Sequence, residues 1–167
     1  MTAQLDPIRL NGSFGEGGGA LLRTAVAMSA LTQQPLALYS ARGGMRKPGL
    51  TAEDLTFIEA VGDCTNAVVE TAGTGSDALF FSPQSLPRGV NRRYDIHAHE
   101  KGKVPGNAQI LLTGLVPVLA RAGTYSEVAV CAETHNEKTV GFDAFDRVTL
   151  PAFRRFGLYA FARLIAP

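Results

Sequence analysis

The chain has 167 residues, of which 46% are hydrophobic and 19% charged, with a formal net charge of +1. That size supports one ordinary domain with a real core, and that balance excludes a disordered chain. The near-neutral charge excludes a global pull toward nucleic acid, so any such contact has to come from a local patch. The start, Met1 to Asp6, has neither the basic end nor the apolar run of a signal peptide, and no apolar stretch reaches transmembrane length. These absences predict a cytoplasmic chain with no membrane partner. Cys64 and Cys131 lie far apart between ordinary helix or strand residues and read as free structural thiols rather than a disulfide.

In chain order, Pro7-Ile8-Arg9-Leu10 has the alternation of a short half-buried strand, about 7–11. The stretch Asn11-Gly-Ser-Phe-Gly-Glu-Gly-Gly-Gly19 follows, and then a helix at about 19–32 carries Leu21, Leu22, Ala25 and Met28 on one face. Glycines between a strand and a helix let backbone N–H groups converge where the helix dipole attracts phosphate. Glu16 beside an anion needs a cation between them, and a hard ion such as Mg²⁺ would share carboxylate and phosphate oxygens. A tight glycine turn with a helix-capping glutamate fits the same residues equally well.

A strand at about 35–41 leads into a loop from Arg42 to Pro48 and a helix at about 51–62. Strands at about 66–71 and 78–82, separated by Gly73-Thr-Gly75, predict a hairpin. The pattern then starts again. Arg93-Tyr-Asp-Ile96 is a strand, about 107–122 a helix with Leu111, Leu112, Leu115 and Leu119 on one face, and Glu127–Cys131 a strand. The loop Glu133-Thr-His-Asn136 precedes a last helix from about Asp143 to Phe156. Pro117 and Pro151 fall inside helical patterns and predict kinks.

Equivalent helices recur at roughly 90 residues, which reads as a duplicated βαβαββ unit of α+β class. The first repeat covers about 5–85 and an incomplete second about 92–167. Leu158 to Pro167 is too short for two strands and a turn and could add at most one edge. Unpaired edges of this kind predict self-association into a homo-oligomer.

His97 and His99 alternate at strand spacing and would share a side, with Glu100 nearby; that spacing could ligate a metal, but no third ligand is evident. No Ser-His-Asp or Cys-His arrangement can be argued.

Several blocks in order carry a resemblance. They are Asn11 to Thr24, Ala41-Arg-Gly-Gly-Met-Arg-Lys-Pro-Gly-Leu50, Tyr94-Asp-Ile96, Leu115-Val-Pro117, Thr134-His-Asn136, and Phe142-Asp143 through Gly157. Together they resemble the N-terminal half of RNA 3′-terminal phosphate cyclases. The resemblance implies three βαβαββ repeats plus a small inserted domain, of which the third repeat and the insert would be absent here. It implies an ATP-dependent reaction: a histidine is adenylated, AMP passes to an RNA 3′-phosphate, and the neighbouring 2′-hydroxyl displaces AMP to close a 2′,3′-cyclic phosphate. It also implies ATP and Mg²⁺ as cofactors and an RNA 3′ end as partner.

Residue by residue, the resemblance assigns Glu16 to metal and nucleotide, Thr113 to a nucleotide-contacting position, and Arg23, Arg42, Arg46 and Lys47 to RNA. Asp143 matches the acid opening the last helix, where capping alone would explain it. The chain departs at Ala20, where the family has glutamine, at Met45, where it has arginine, and at Glu53-Asp54, where a polar-basic pair is usual, which would reverse charge at an RNA-facing surface. His97 to Asn107 replaces a short glycine–serine turn, and Thr113 replaces a glutamine. The family's nucleophilic histidine has no counterpart, since His135 falls in a different block. The implied activity is therefore one the chain would not perform alone. The alternatives are a non-catalytic RNA-binding or structural homologue and the product of an interrupted gene; enolpyruvyl transfer on a similar fold suits the Glu16 loop poorly.

Overall fold

The computed structural model describes residues 5–99, 106–134 and 141–165. Strand β1 (Ile8–Asn11) leads through the glycine loop into helix α1 (Gly19–Thr32), and β2 (Leu36–Tyr39) leads through the Arg42 loop into α2 (Ala52–Thr65). Strands β3 (Val68–Glu70) and β4 (Leu79–Ser82) close the first unit as the expected antiparallel pair, with Val68 opposite Ser82. The sheet order is β1-β2-β4-β3, with β1 and β2 parallel. The second unit has β5 (Asn91–Asp95), a 3₁₀ turn at Ile96–Ala98, α3 (Ala108–Arg121) and β6 (Glu127–Cys131). Strands β5 and β6 pair in parallel as a separate two-stranded sheet.

Helix α2 is the centre of the molecule. Eleven of its 14 residues are buried, more than a one-sided surface helix can hide, because it packs on both α1 and α3. Thr51 and Asp54 start it reciprocally. The Thr51 hydroxyl accepts from the Asp54 backbone N–H at 3.2 Å, and the Asp54 carboxylate accepts from the Thr51 N–H at 3.0 Å. Phe57 is fully buried among Leu22, Phe81, Leu111 and Leu115. Truncating such a phenylalanine typically costs about 3–5 kcal/mol. Gly114 of α3 lies against its ring, where a Cβ would fall 2.8 Å from the Phe57 ring carbon Cε2. Glycine there sets how near the two units approach.

Three expectations need correction. The inward face of α1 is Gly19, Leu22, Val26, Ser29 and Ala30, while Met28 is half exposed. Apolar residues ring this helix, so counting them cannot separate adjacent phases; contact with α2, α3 and the sheet selects one. His97 and His99 do not share a strand face, because the chain turns into the 3₁₀ segment directly after β5. His97 binds Asp95 at 2.9 Å, whereas His99 reaches Glu59 on α2 at 3.1 Å. Glu100 lies outside the described residues.

The last helix is interrupted: α4 (Phe142–Ala144) passes through a π-helical turn at Phe145–Thr149 into α5 (Leu150–Arg155). Pro151 has no N–H for the carbonyl four residues earlier, and its ring crowds that carbonyl; the wider turn relieves both. Leu158 to Ile165 forms neither helix nor strand, so the possible extra edge is not built. The tail instead curls so that the Arg154 guanidinium stands 4.6 Å over the Phe161 ring and donates to the Ala160 carbonyl.

Beneath this layer, burial pushes the Cys64 thiol up from 9.0 to about 12, with the Asp63 charge adding to the effect. Burial likewise raises Tyr94, whose hydroxyl donates to Asp63 at 3.0 Å. Both groups stay protonated in the folded chain and lose protons on unfolding, so stability is full below pH 9.0 and falls as pH rises toward about 12. Urea midpoints measured across that range are expected to fall with pH in the wild type, and less steeply in Cys64→Ala and Tyr94→Phe.

Candidate functional site

Parallel β1 and β2 end side by side, which brings the loops that follow them together. The Gly12 N–H donates to the Tyr39 carbonyl at 2.7 Å, and the Gly44 N–H to the Gly17 carbonyl at 3.3 Å. Gly17 has φ +58°, and a Cβ there would lie 2.7 Å from the Gly44 nitrogen. Two loops can touch backbone to backbone here only without side chains between them. Gly18 is the N-cap of α1 and has no side chain to take up the N–H groups of that helix's first turn. An uncapped helix end beside a basic loop is a setting that favours an anion.

Beneath the loops lies a cluster of four charges. The Arg23 guanidinium, on the second turn of α1, donates to Glu53 at 2.8 Å and stands 3.6 Å from Asp54. Arg42, at φ +53°, reaches Asp54 at 3.4 Å. The Asp54 side chain is fully buried, whereas the two guanidinium-bearing side chains keep 15% and 18% exposure, enough to meet a ligand. The same Asp54 Oδ2 also accepts from the Thr51 hydroxyl at 2.7 Å, while its Oδ1 and the Arg42 Nε are buried without a hydrogen-bond partner. Glu53 uses its other oxygen to accept the Asn107 N–H at 2.8 Å, tying the cluster to the head of α3. Gly19 makes the convergence possible: a Cβ there would sit 2.7 Å from Arg42 Nη1, 2.9 Å from Arg23 Nη1 and 3.2 Å from Asp54 Oδ1.

The predicted residues divide into groups. Arg23 and Arg42 come together in this cluster. Glu16, Arg46 and Lys47 are exposed on the two docked loops. Glu16 makes no ion pair with Arg23, Arg42 or any other of the described residues. Thr113 is exposed on α3, and its hydroxyl donates to the Gln109 carbonyl of its own helix at 2.7 Å. His135 lies outside the described residues.

Glu53 and Asp54 require a correction. They do not reverse the charge of an exposed surface, because Asp54 is wholly buried, Glu53 is only partly exposed, and both pair with the arginines. Sequence reasoning missed them as partners of Arg23 and Arg42. The available signal was Thr51 three residues before Asp54, the spacing of a capping box, which predicts an acid turned toward the helix start.

Among the described residues no helix is long and apolar enough to cross a membrane. The family model for RNA 3′-terminal phosphate cyclase matches residues 14–166. Proteins named RNA 3′-terminal phosphate cyclase resemble the chain: that of Methylococcus capsulatus is 35% identical over 95% of this chain and 44% of its own length. The one from Gloeothece citriformis is 34% identical over 89% of the chain and 43% of its own length. The one from Ralstonia nicotianae is 36% identical over 95% and 44%. The chain thus spans less than half the length of these relatives. With a mixed α+β fold of alternating strands and helices, and a family match that takes in nearly all of its length, the chain belongs to the RNA 3′-terminal phosphate cyclase family.

Proposed function

We propose that this chain carries the nucleotide- and RNA-end-binding half of an ATP-dependent RNA 3′-terminal phosphate cyclase and does not turn over by itself. The observation that carries the reading is the docking of the glycine loop on the Arg42 loop, directly above the uncapped start of α1. Backbone N–H groups at the start of α1 lie beside the Arg23 and Arg42 guanidiniums, a donor set that suits the oxygens of a phosphate monoester or a nucleotide.

In the proposed reaction an oxygen of the RNA terminal phosphate attacks the AMP phosphorus of an adenylated enzyme group, the enzyme–AMP bond breaks to free that group, and the RNA phosphate is left joined to AMP as a phosphoanhydride. The 2′-hydroxyl then attacks the RNA's own 3′-phosphorus, the P–O bond to AMP breaks, and the hydroxyl proton leaves to solvent. A phosphate monoester is a poor electrophile because its oxygens repel a nucleophile, so the chain's part is to hold and neutralise it. Arg42 and Arg23 meet the terminal phosphate, while Arg46 and Lys47 meet the backbone behind it. Thr113 is the proposed nucleotide-contacting position on α3.

Glu16 offers one exposed carboxylate, which fits Mg²⁺ only as an ion sharing its remaining sites with water and phosphate oxygens. When bound, Mg²⁺ would neutralise charge on the nucleotide phosphates. Glu16 would orient it, and the glycines keep the approach clear of side chains.

One observation favours the second reading, a non-catalytic RNA-binding or structural homologue: two carboxylates already face the two arginines. The two readings separate on affinity for an RNA end. An oligoribonucleotide ending in a 3′-phosphate is expected to bind more tightly than the same strand ending in a 3′-hydroxyl, with salt-dependent affinity. Arg46→Ala and Lys47→Ala should each reduce the salt slope by about 0.7. Gly19→Ala would put a Cβ within 3.2 Å of Arg42, Arg23 and the buried Asp54, so both the preference for the 3′-phosphate and the thermal stability are expected to fall. Equal affinity for both ends would remove the cyclase reading.

Incubation with α-labelled ATP and Mg²⁺ is expected to leave no covalent adenylate on this chain. A labelled protein band would show that it has a nucleophile of its own.

Edge strands β1 and β3 expose Ile8, Val68 and Val69, and the tail exposes Phe156 and Phe161. We expect these surfaces to be covered by a second copy, giving a concentration-dependent dimer in sedimentation velocity; a monodisperse monomer at every concentration would refute this.

A further inference from the structure

The end of the second sheet places together three side chains that the cyclase reading does not use. Asp95 closes β5, Cys131 closes β6, and the two are direct partners in the parallel register. His97 follows on the 3₁₀ turn, and its Nδ1 meets the Asp95 carboxylate at 2.9 Å. One ligand atom from each of the three residues lies within 4.8 Å of the others. Among the described residues this is the only such group of three or more histidine, cysteine, aspartate or glutamate side chains. We propose that Asp95, His97 and Cys131 form a site for a borderline-soft divalent transition metal, Zn²⁺ above all.

The donor set argues for that class of ion. A thiolate, an imidazole and a carboxylate together are poor ligands for Mg²⁺ or Ca²⁺, which take oxygen, and good ones for Zn²⁺. Three protein ligands leave one tetrahedral position for water. Bond lengths of about 2.0–2.1 Å to oxygen and nitrogen place those two donors roughly 3.3 Å apart across a tetrahedral ion. The present Asp95–His97 separation needs to open by only a few tenths of an ångström, the ion taking the place of the shared proton. Asp95 already accepts the His97 backbone N–H at 2.9 Å, which holds its carboxylate at the turn.

The site also has structural sense. Two paired strands are marginal alone, and β5–β6 has no third strand among the described residues. An ion bound at Asp95 and Cys131 would tie the ends of both strands together, so its binding energy would add to folding stability. This inference does not depend on the nucleotide site and would survive its failure.

Cobalt reads the site directly. Titrating tag-free, reduced protein with Co²⁺ is expected to give visible tetrahedral d–d bands and a near-ultraviolet sulfur-to-cobalt charge-transfer band, saturating at one equivalent. Cys131→Ser should abolish the charge-transfer band while the circular dichroism stays native. Asp95→Asn and His97→Ala should each weaken Co²⁺ binding at least about tenfold. Zn²⁺ should displace the cobalt and raise the melting temperature of the wild type but not of Cys131→Ser. Absence of a charge-transfer band at one equivalent overturns the proposal. A band that persists in Cys131→Ser overturns it too, since it would place the ion at Cys64.

Discussion

A carboxylate buried between two guanidiniums governs this molecule. Asp54 has no contact with water, and an unpaired charge in that position would cost several kcal/mol. It is held by Arg42, by the nearby Arg23 and by the N–H and hydroxyl of Thr51. Those partners come from α1, from the loop after β2 and from the cap of α2. Their convergence therefore fixes the starts of both helices relative to each other. Charge compensation and fold are here the same constraint. It explains why a helix as buried as α2 can begin with two acids, and why the residue opposite them, Gly19, has no side chain.

The same arrangement bears on the chemistry. Arginines that are ordered beforehand lose less entropy on meeting a phosphate, which helps binding. Arginines that already hold carboxylates also have less free charge to offer, which hinders it. Formally the cluster holds two guanidiniums and two carboxylates, so any phosphate selectivity has to draw on unsatisfied donors. The N–H groups of the first α1 turn and the exposed Arg46 and Lys47 are the donors at hand. A phosphate here would meet directional N–H groups rather than a large positive field, in keeping with the near-neutral net charge of the chain.

The two units also differ in how they are completed. The first has four strands, and its second helix, α2, is mostly buried; in the second, β5 and β6 pair with each other while α3 packs against α1 and α2. They are joined through α2, against which α3 packs at Gly114, and through the Glu53 carboxylate that receives the Asn107 N–H. The charged cluster thus has one oxygen in each unit's business: it orients the arginines of the first and anchors the helix of the second.

Much of this was legible in the residues themselves. Local signals are strong where a glycine run, an apolar period and a turn agree, so α1, β6 and the β3–β4 pair fall where the pattern puts them. The ordered blocks identified the family for a similar reason, since they are short and local. Arg23 and Arg42 could be named as a pair from their blocks, but not what faces them. Asp54 is far from Arg23 along the chain, and only the packing of α1 on α2 brings their charges together. Likewise His97 lacked a third ligand in the linear sequence; Cys131 joins it and Asp95 only because β5 and β6 run parallel in one register. Sequence by itself determined the elements and the lineage, because both are written in neighbouring residues. Tertiary structure alone decided which charges neutralise each other and which ligands share a corner, because Coulomb interactions and metal coordination depend on distance in space rather than along the chain.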